Sequence, residues 1–257
     1  MFVNWGVLLL LLECLSNYPT AGIINGVNTQ IKHFPYLMQI RRKPSTFLCA
    51  GVLYARHAVL TVAHCVYRYS NELNPDDLLV VGGTQTTNGV PRYKEEVAAV
   101  RYHMNFASRF TTPQWDLAMI RLKHPFPPTH DIKNVPIHWV LPVSRVFCLI
   151  AGWGSKNATH PHVKQVKLNY GFLTSLNAVS CPYKIKDILC GVDKEKKYAS
   201  CWGDDGGPFM CEGKFTGLIW ACHRACDHTP ETIVNAYSNR RWIEWIAHVN
   251  PIPPQGP

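Results

Sequence analysis

Charge is scarce in this chain of 257 residues: 17% are Asp, Glu, Lys or Arg, against 47% in the hydrophobic class. That balance excludes a disordered chain and a charge-laced coiled coil, and 17 glycines are too few for a collagen. No fixed-period repeat and no low-complexity stretch occurs, which excludes a repeat array. Beyond the first fifteen or so residues no long apolar run follows, so nothing later in the chain reads as a membrane-spanning helix. Acidic residues are the minority, 17 against 26 basic ones, and the formal charge of +9 admits an anionic partner. What remains is enough apolar content at enough length for one well-filled core.

The N-terminus reads as a secretory leader. From Phe2 to Leu15 the only charged residue is Glu13, and Val7 to Leu12 is unbroken apolar sequence. At about 14 residues this stretch falls short of the roughly 20 needed to span a bilayer, but it suits a signal-peptide core. A basic n-region is missing. Small residues stand at two cleavage sites, after Ser16 and after Gly22. Cleavage makes the remaining chain extracellular, removes Cys14, and raises the formal charge from +9 to +10 by discarding Glu13.

Short strand-like runs follow: Tyr36–Ile40, Ala58–Val62, Leu78–Val81, Val97–Val100, Leu117–Leu122, Val146–Ala151 and Phe215–Ile219. Asn74-Pro75, Gly82-Gly83, Asn88-Gly89 and Pro125 to Pro128 punctuate them. Many short strands without interleaved helices predict an all-β barrel or sandwich. One helical pattern stands near the end, about Ser238 to Val249, with Trp242, Ile243, Ile246 and Val249 at 3–4 spacing. The tail, residues 251–257, stops it with Pro251, Pro253 and Pro254.

Three segments carry chemistry: Leu60-Thr61-Val62-Ala63-His64-Cys65 after Cys49-Ala50-Gly51, Asp116-Leu117-Ala118-Met119-Ile120-Arg121-Leu122, and Gly203-Asp204-Asp205-Gly206-Gly207-Pro208. In this order they resemble the chymotrypsin/trypsin-like serine proteases. Ile23-Ile24-Asn25-Gly26, the run Cys148 to Gly154 and the helix with Trp242-Ile243 add to the likeness, which spans residues 23–250. It implies two six-stranded β-barrels with the site between them and a C-terminal α-helix. His64 then matches the base and Asp116 the carboxylate that orients it.

The match fails at the nucleophile, where the family's serine is replaced by Asp205. A carboxylate attacks amides poorly, and removing the serine of such a triad costs on the order of a million-fold in rate. The resemblance puts the oxyanion hole at the backbone N–H groups of Gly203 and Asp205. Asp205 is expected either to fill that hole or to pair with His64, placing the imidazole between two carboxylates that raise its pKa. The pocket base is Ala199, with no acid to select Lys or Arg. Trp220-Ala221-Cys222 replaces the usual Ser-Trp-Gly, and Glu231 replaces a wall glycine. These changes predict a narrowed pocket, with a basic-residue pocket rebuilt by Glu231 as the alternative. In the family, the freed amino group at the position of Ile23 pairs with the carboxylate at Asp204. No Lys or Arg precedes Ile23 here, so a trypsin-type activation cut is not available.

The ten cysteines are an even set, but one leaves with the leader. By resemblance Cys49 pairs with Cys65, Cys148 with Cys211, Cys181 with Cys190, and Cys201 with Cys226. Cys222 is left over and free for a disulfide-linked partner, or to compete with Cys201 for Cys226. Cys222, His223, Cys226 and His228 cluster in sequence, but their spacing fits no standard zinc site and Cys226 is claimed, so no metal or other cofactor is expected. Asn157-Ala158-Thr159 is a glycosylation sequon in a loop. The densest basic groups, Arg41-Arg42-Lys43 and Lys194 to Lys197, are not interleaved with aromatics, so no nucleic acid and no membrane is expected as a partner.

The expectation is a secreted, non-catalytic serine protease homologue that binds a protein: an active protease, an inhibitor or a protease substrate. It would serve as decoy, cofactor or scaffold in a protease cascade, in immunity or in reproduction. The alternatives are unorthodox hydrolysis by His64 and a bound water, and an anionic-glycan-binding module. N-terminal sequencing of the secreted protein is expected to begin at Ile23; a start at Asn17 would show that a six-residue propeptide is kept.

Overall fold

The computed structural model describes residues 23–248, apart from 69–70, 108–111, 138, 140–143, 155–166, 177–178, 182–183, 186, 222–225 and 227–229. Among these residues, no helix is long and apolar enough to cross a membrane.

Six antiparallel strands close the first barrel, in the order Leu37–Arg42, Thr46–Ala55, Ala58–Thr61, Ala118–Leu122, Tyr93–Tyr102, Leu78–Gly82. Both faces of Leu37–Arg42 are buried up to Arg41. Tyr93–Tyr102 is instead exposed on alternate residues in its first half, as expected of a strand with one wet face. A second sheet runs Val27–Asn28, Asn169–Leu176, Phe147–Gly152, Pro208–Cys211, Lys214–Trp220, Glu231–Asn235, Ile188–Val192. Pairing of Asn169–Leu176 with Ile188–Val192 closes six of these strands into a second barrel and leaves Val27–Asn28 as an appendage. The α-helix Arg240–His248 buries Trp242, Ile243, Ile246 and Ala247, and Arg121 of the first barrel donates to the Ala247 carbonyl at 2.9 Å.

Four disulfides join Cys49 to Cys65, Cys148 to Cys211, Cys181 to Cys190 and Cys201 to Cys226. Each closes a loop whose freedom the unfolded chain would otherwise keep, worth about 2–4 kcal/mol in the chain-entropy picture. Cys222 lies outside the described residues.

One tie between the barrels is made at a tight turn. The Ala50 N–H donates to the Asp205 carbonyl at 2.9 Å, and the Ala50 carbonyl accepts from the Thr61 hydroxyl at 2.8 Å. Gly206 sits against this pair with φ of 75°. A β-carbon there would lie 2.2 Å from the Ala50 oxygen and 2.3 Å from Thr61 Oγ1. The left-handed backbone and the missing side chain are both required. Gly206→Ala should therefore cost roughly 2–5 kcal/mol from backbone strain plus overpacking. A melting experiment should show the midpoint falling by about 5 °C or more; an unchanged midpoint would mean the barrels adjust at no cost.

Candidate active site

His64 lies in the 3₁₀ turn Ala63–Cys65, which follows strand Ala58–Thr61 and is held by the Cys49–Cys65 disulfide. Asp116 enters just ahead of strand Ala118–Leu122, after Trp115, whose φ of 59° is unusual for a bulky residue. That turn aims the Asp116 carboxylate inward, where it is 1% exposed. Its Oδ1 accepts from the His64 backbone N–H at 2.9 Å and its Oδ2 lies 2.7 Å from His64 Nδ1. The indole Nε1 of Trp220 donates to Oδ2 at 2.7 Å. The Trp220 ring stands edge-on to the imidazole, 6.4 Å between centroids. Sequence reasoning placed Trp220 in the substrate pocket and missed this hydrogen bond. The signal available was a residue with a donor at a position where the family carries a serine.

Asp205 faces the other side of the imidazole. Its Oδ1 lies 3.4 Å from His64 Nε2 and accepts from the Ala221 N–H at 2.7 Å. The carboxylate is thus drawn toward His64 and strand Lys214–Trp220 rather than folded back onto its own turn. Among the described residues, the backbone N–H groups of Gly203 and Asp205 donate to no acceptor. Burial pushes the His64 pKa down, but the charge and hydrogen bonds of Asp116 and Asp205 outweigh it and raise the pKa to about 10. At neutral pH the site is an imidazolium held between two carboxylates.

Asp204 points away from this cluster. It is fully buried, and its oxygens accept from the Gly154 N–H at 2.7 Å and the Cys201 N–H at 3.0 Å. Burial raises its pKa well above the ordinary carboxylate value, partly opposed by those two donors and reinforced by Asp205 and Glu231. The ion pair expected between Ile23 and Asp204 needs a free amino group at Ile23, which the full-length chain does not present. Ile23 is nevertheless fully buried against Ile150, Phe209 and Ile219, and the Ile24 N–H donates to the Ala199 carbonyl at 2.9 Å.

The residues read as lining a substrate pocket are shielded from solvent. Ala199, Trp220 and Ala221 are buried, and Glu231 is 4% exposed. The Glu231 carboxylate accepts from the Ser200 N–H at 2.7 Å and from the Ser200 hydroxyl. Ser200 is a partner the sequence did not announce. Cys222, His223, His228 and the sequon Asn157 lie outside the described residues. Ligand atoms of Cys49, His64 and Cys65 come within 4.8 Å of one another, but both sulfurs are in a disulfide and offer no thiolate to a metal.

The trypsin family model matches residues 23–243. Human kallikrein-5 is 28% identical over 254 residues, covering 93% of this chain and 80% of that protein. Vaa serine proteinase homolog 1 of Vipera ammodytes ammodytes is 25% identical, covering 87% of this chain and 86% of its own length. Among solved structures, human heparin binding protein superposes with a TM-score of 0.77 at 21% identity, covering 91% of this chain and all of that one. The last likeness is one of fold.

The folded His64 pKa lies above its unfolded value of 6.5. It therefore contributes stability in full below pH 6.5 and loses that contribution as pH rises toward about 10. Asp204 acts in the same direction over a window opening above 3.8. An NMR titration should find the His64 imidazolium persisting above pH 8, and Asp205→Asn should lower its pKa by about one unit or more. A pKa at or below 6.5 would remove the double ion pair from this account.

Proposed function

This chain belongs to the trypsin family, and we propose that within it the protein is a secreted, non-catalytic homologue that works by binding another protein. The observation that carries this reading is the environment of Asp205. Acyl transfer needs a hydroxyl or thiol whose proton an adjacent neutral imidazole can take. Asp205 offers a carboxylate with no such proton, and its Oδ1 is already hydrogen-bonded to Ala221. His64, held as a cation, has no free pair with which to act as a base. Attack by the carboxylate itself would form a mixed anhydride rather than the ester of the family mechanism.

The surroundings support the same reading. Glu231 is buried and hydrogen-bonded to Ser200, next in sequence to Ala199 at the position the family uses as the pocket base, which supports a narrowed pocket. The four disulfides fit an oxidising, extracellular setting, as does the apolar leader. One similar chain carries the name serine proteinase homolog rather than serine protease. The partner in this proposal is an active protease, an inhibitor or a protease substrate, met in extracellular fluid. The domain acting in this way is residues 23–250.

A second reading, binding of an anionic glycan, draws on the net charge and on a structural neighbour named for heparin binding. Part of the basic surface is already neutralised: Lys43 and Lys123 both bridge to Glu96 at 2.7 and 2.9 Å, and Arg42 faces Asp77. Protein binding is therefore the better supported of the two.

Peptide ester and amide assays of the purified secreted protein should show no turnover above background, unchanged by His64→Ala. Turnover that His64→Ala abolishes would overturn the non-catalytic reading. A pull-down from the native fluid should return the same partner with wild type and with His64→Ala. Retention on heparin beyond that of a control of equal charge would favour the glycan instead.

A further inference from the structure

Away from the His64 cluster, a groove of about 930 Å³ opens where residues 28–36 cross the outside of the second barrel. Its size falls in the range of small-molecule sites. The floor and walls are apolar: Phe34, Tyr36, Leu149, Tyr170, Phe172 and Met210. The rings form a connected ladder. Tyr36 meets Phe34 edge-on at 6.3 Å, Phe34 lies 5.9 Å from Tyr170, and Tyr170 lies 5.2 Å from Phe172. Beyond the groove Phe172 continues onto Phe147 at 4.8 Å, and Phe147 is 59% exposed. Contacting rings of this kind, edge-to-face at Phe34–Tyr36 and Tyr170–Phe172 and tilted at the other two pairs, give a stiff apolar surface that costs little to preorganise.

The polar part of the lining is one-sided in charge. It contains no Asp or Glu, and it contains Lys32 and His33, both exposed. Among the described residues Lys32, like several other surface cations, makes no ion pair. A cation left without a carboxylate at the edge of an aromatic floor is complementary to an apolar molecule ending in one negative charge. None of the lining residues belongs to the His64 cluster or to the pocket beside Ala199, so occupancy does not depend on that site.

We propose that this groove binds a small amphipathic monocarboxylate, its apolar body on the Phe34–Tyr170–Phe172 ladder and its carboxylate at Lys32. The body is alkyl or aryl; both share the chemistry the groove presents, and the two probes below separate them.

The test is calorimetric titration of the secreted protein with decanoate and with 1-naphthoate, each beside its neutral alcohol, decanol or 1-naphthalenemethanol. One saturable site is expected for at least one acid. The matching alcohol and the Lys32→Glu variant should bind about fivefold more weakly or worse. Leu149→Trp, which fills the groove with a larger apolar side chain, should abolish binding while thermal melting confirms that the variant is folded. Should Leu149→Trp fail to fold, Phe172→Leu, which keeps the volume apolar but removes the ring, is expected to weaken binding. Saturation by neither acid would overturn the proposal. So would equal binding of acid and alcohol, or affinities unchanged in both Lys32→Glu and the folded groove variant.

Discussion

The Asp116 carboxylate is the knot to which both barrels are tied. A buried carboxylate is costly unless its lone pairs are met, and this one is met three times. Two donors come from His64 in the first barrel, through its backbone and its ring, and one comes from the Trp220 indole in the second. Satisfying a single charge therefore fixes the 3₁₀ turn after strand Ala58–Thr61, the strained entry at Trp115 and the end of strand Lys214–Trp220 relative to one another. The Asp205 carbonyl on the Ala50 N–H adds a second tie close by. The geometry of the cleft follows from these contacts.

Charge at that knot sets the protonation of the imidazole. One imidazole between one carboxylate and a hydroxyl is poised to exchange a proton. One imidazole between two carboxylates is instead kept protonated, because both neighbours favour the cation. Asp205 thus places a second carboxylate beside His64, at the position where the resemblance puts the family's serine. The same carboxylate is anchored on Ala221, so the cluster is a satisfied network rather than a loose remnant.

How far the chain alone could be read depended on the kind of signal. Ala58–Thr61, Leu78–Gly82 and Ala118–Leu122 announced themselves as short apolar runs between turn residues, and the structure has them within a residue or two of the expected bounds. The helix also showed its 3–4 spacing and runs Arg240–His248, slightly inside the expected span. Strand Thr46–Ala55 was not read as a strand, since Cys49-Ala50-Gly51 breaks its apolar pattern and its burial comes from contacts on both faces. Asn169–Leu176 alternates cleanly in burial, yet its small and polar residues, Asn169, Gly171 and Ser175, hid the alternation. Glu231–Asn235 is wholly buried despite Glu, Thr and Asn: Ser200 meets the Glu231 carboxylate and the Tyr237 and Ser238 N–H groups meet Asn235 Oδ1, while the Thr232 hydroxyl has no partner among the described residues.

The linear order of residues was sufficient to determine the family resemblance, the missing hydroxyl at Asp205 and the set of cysteines able to pair, because each is a matter of residue identity at a recognisable motif. Tertiary structure alone decided where the charges went. That Trp220 donates to Asp116, that Asp205 leans on Ala221 rather than into its own backbone hole, and that Ser200 claims Glu231 are contacts between residues 16 to 104 positions apart. The aromatic groove beside Lys32 arises in the same way, from segments distant in sequence. Hydrogen bonds and desolvation act over a few ångströms of space, and sequence separation carries no information about such distances until the barrels have closed.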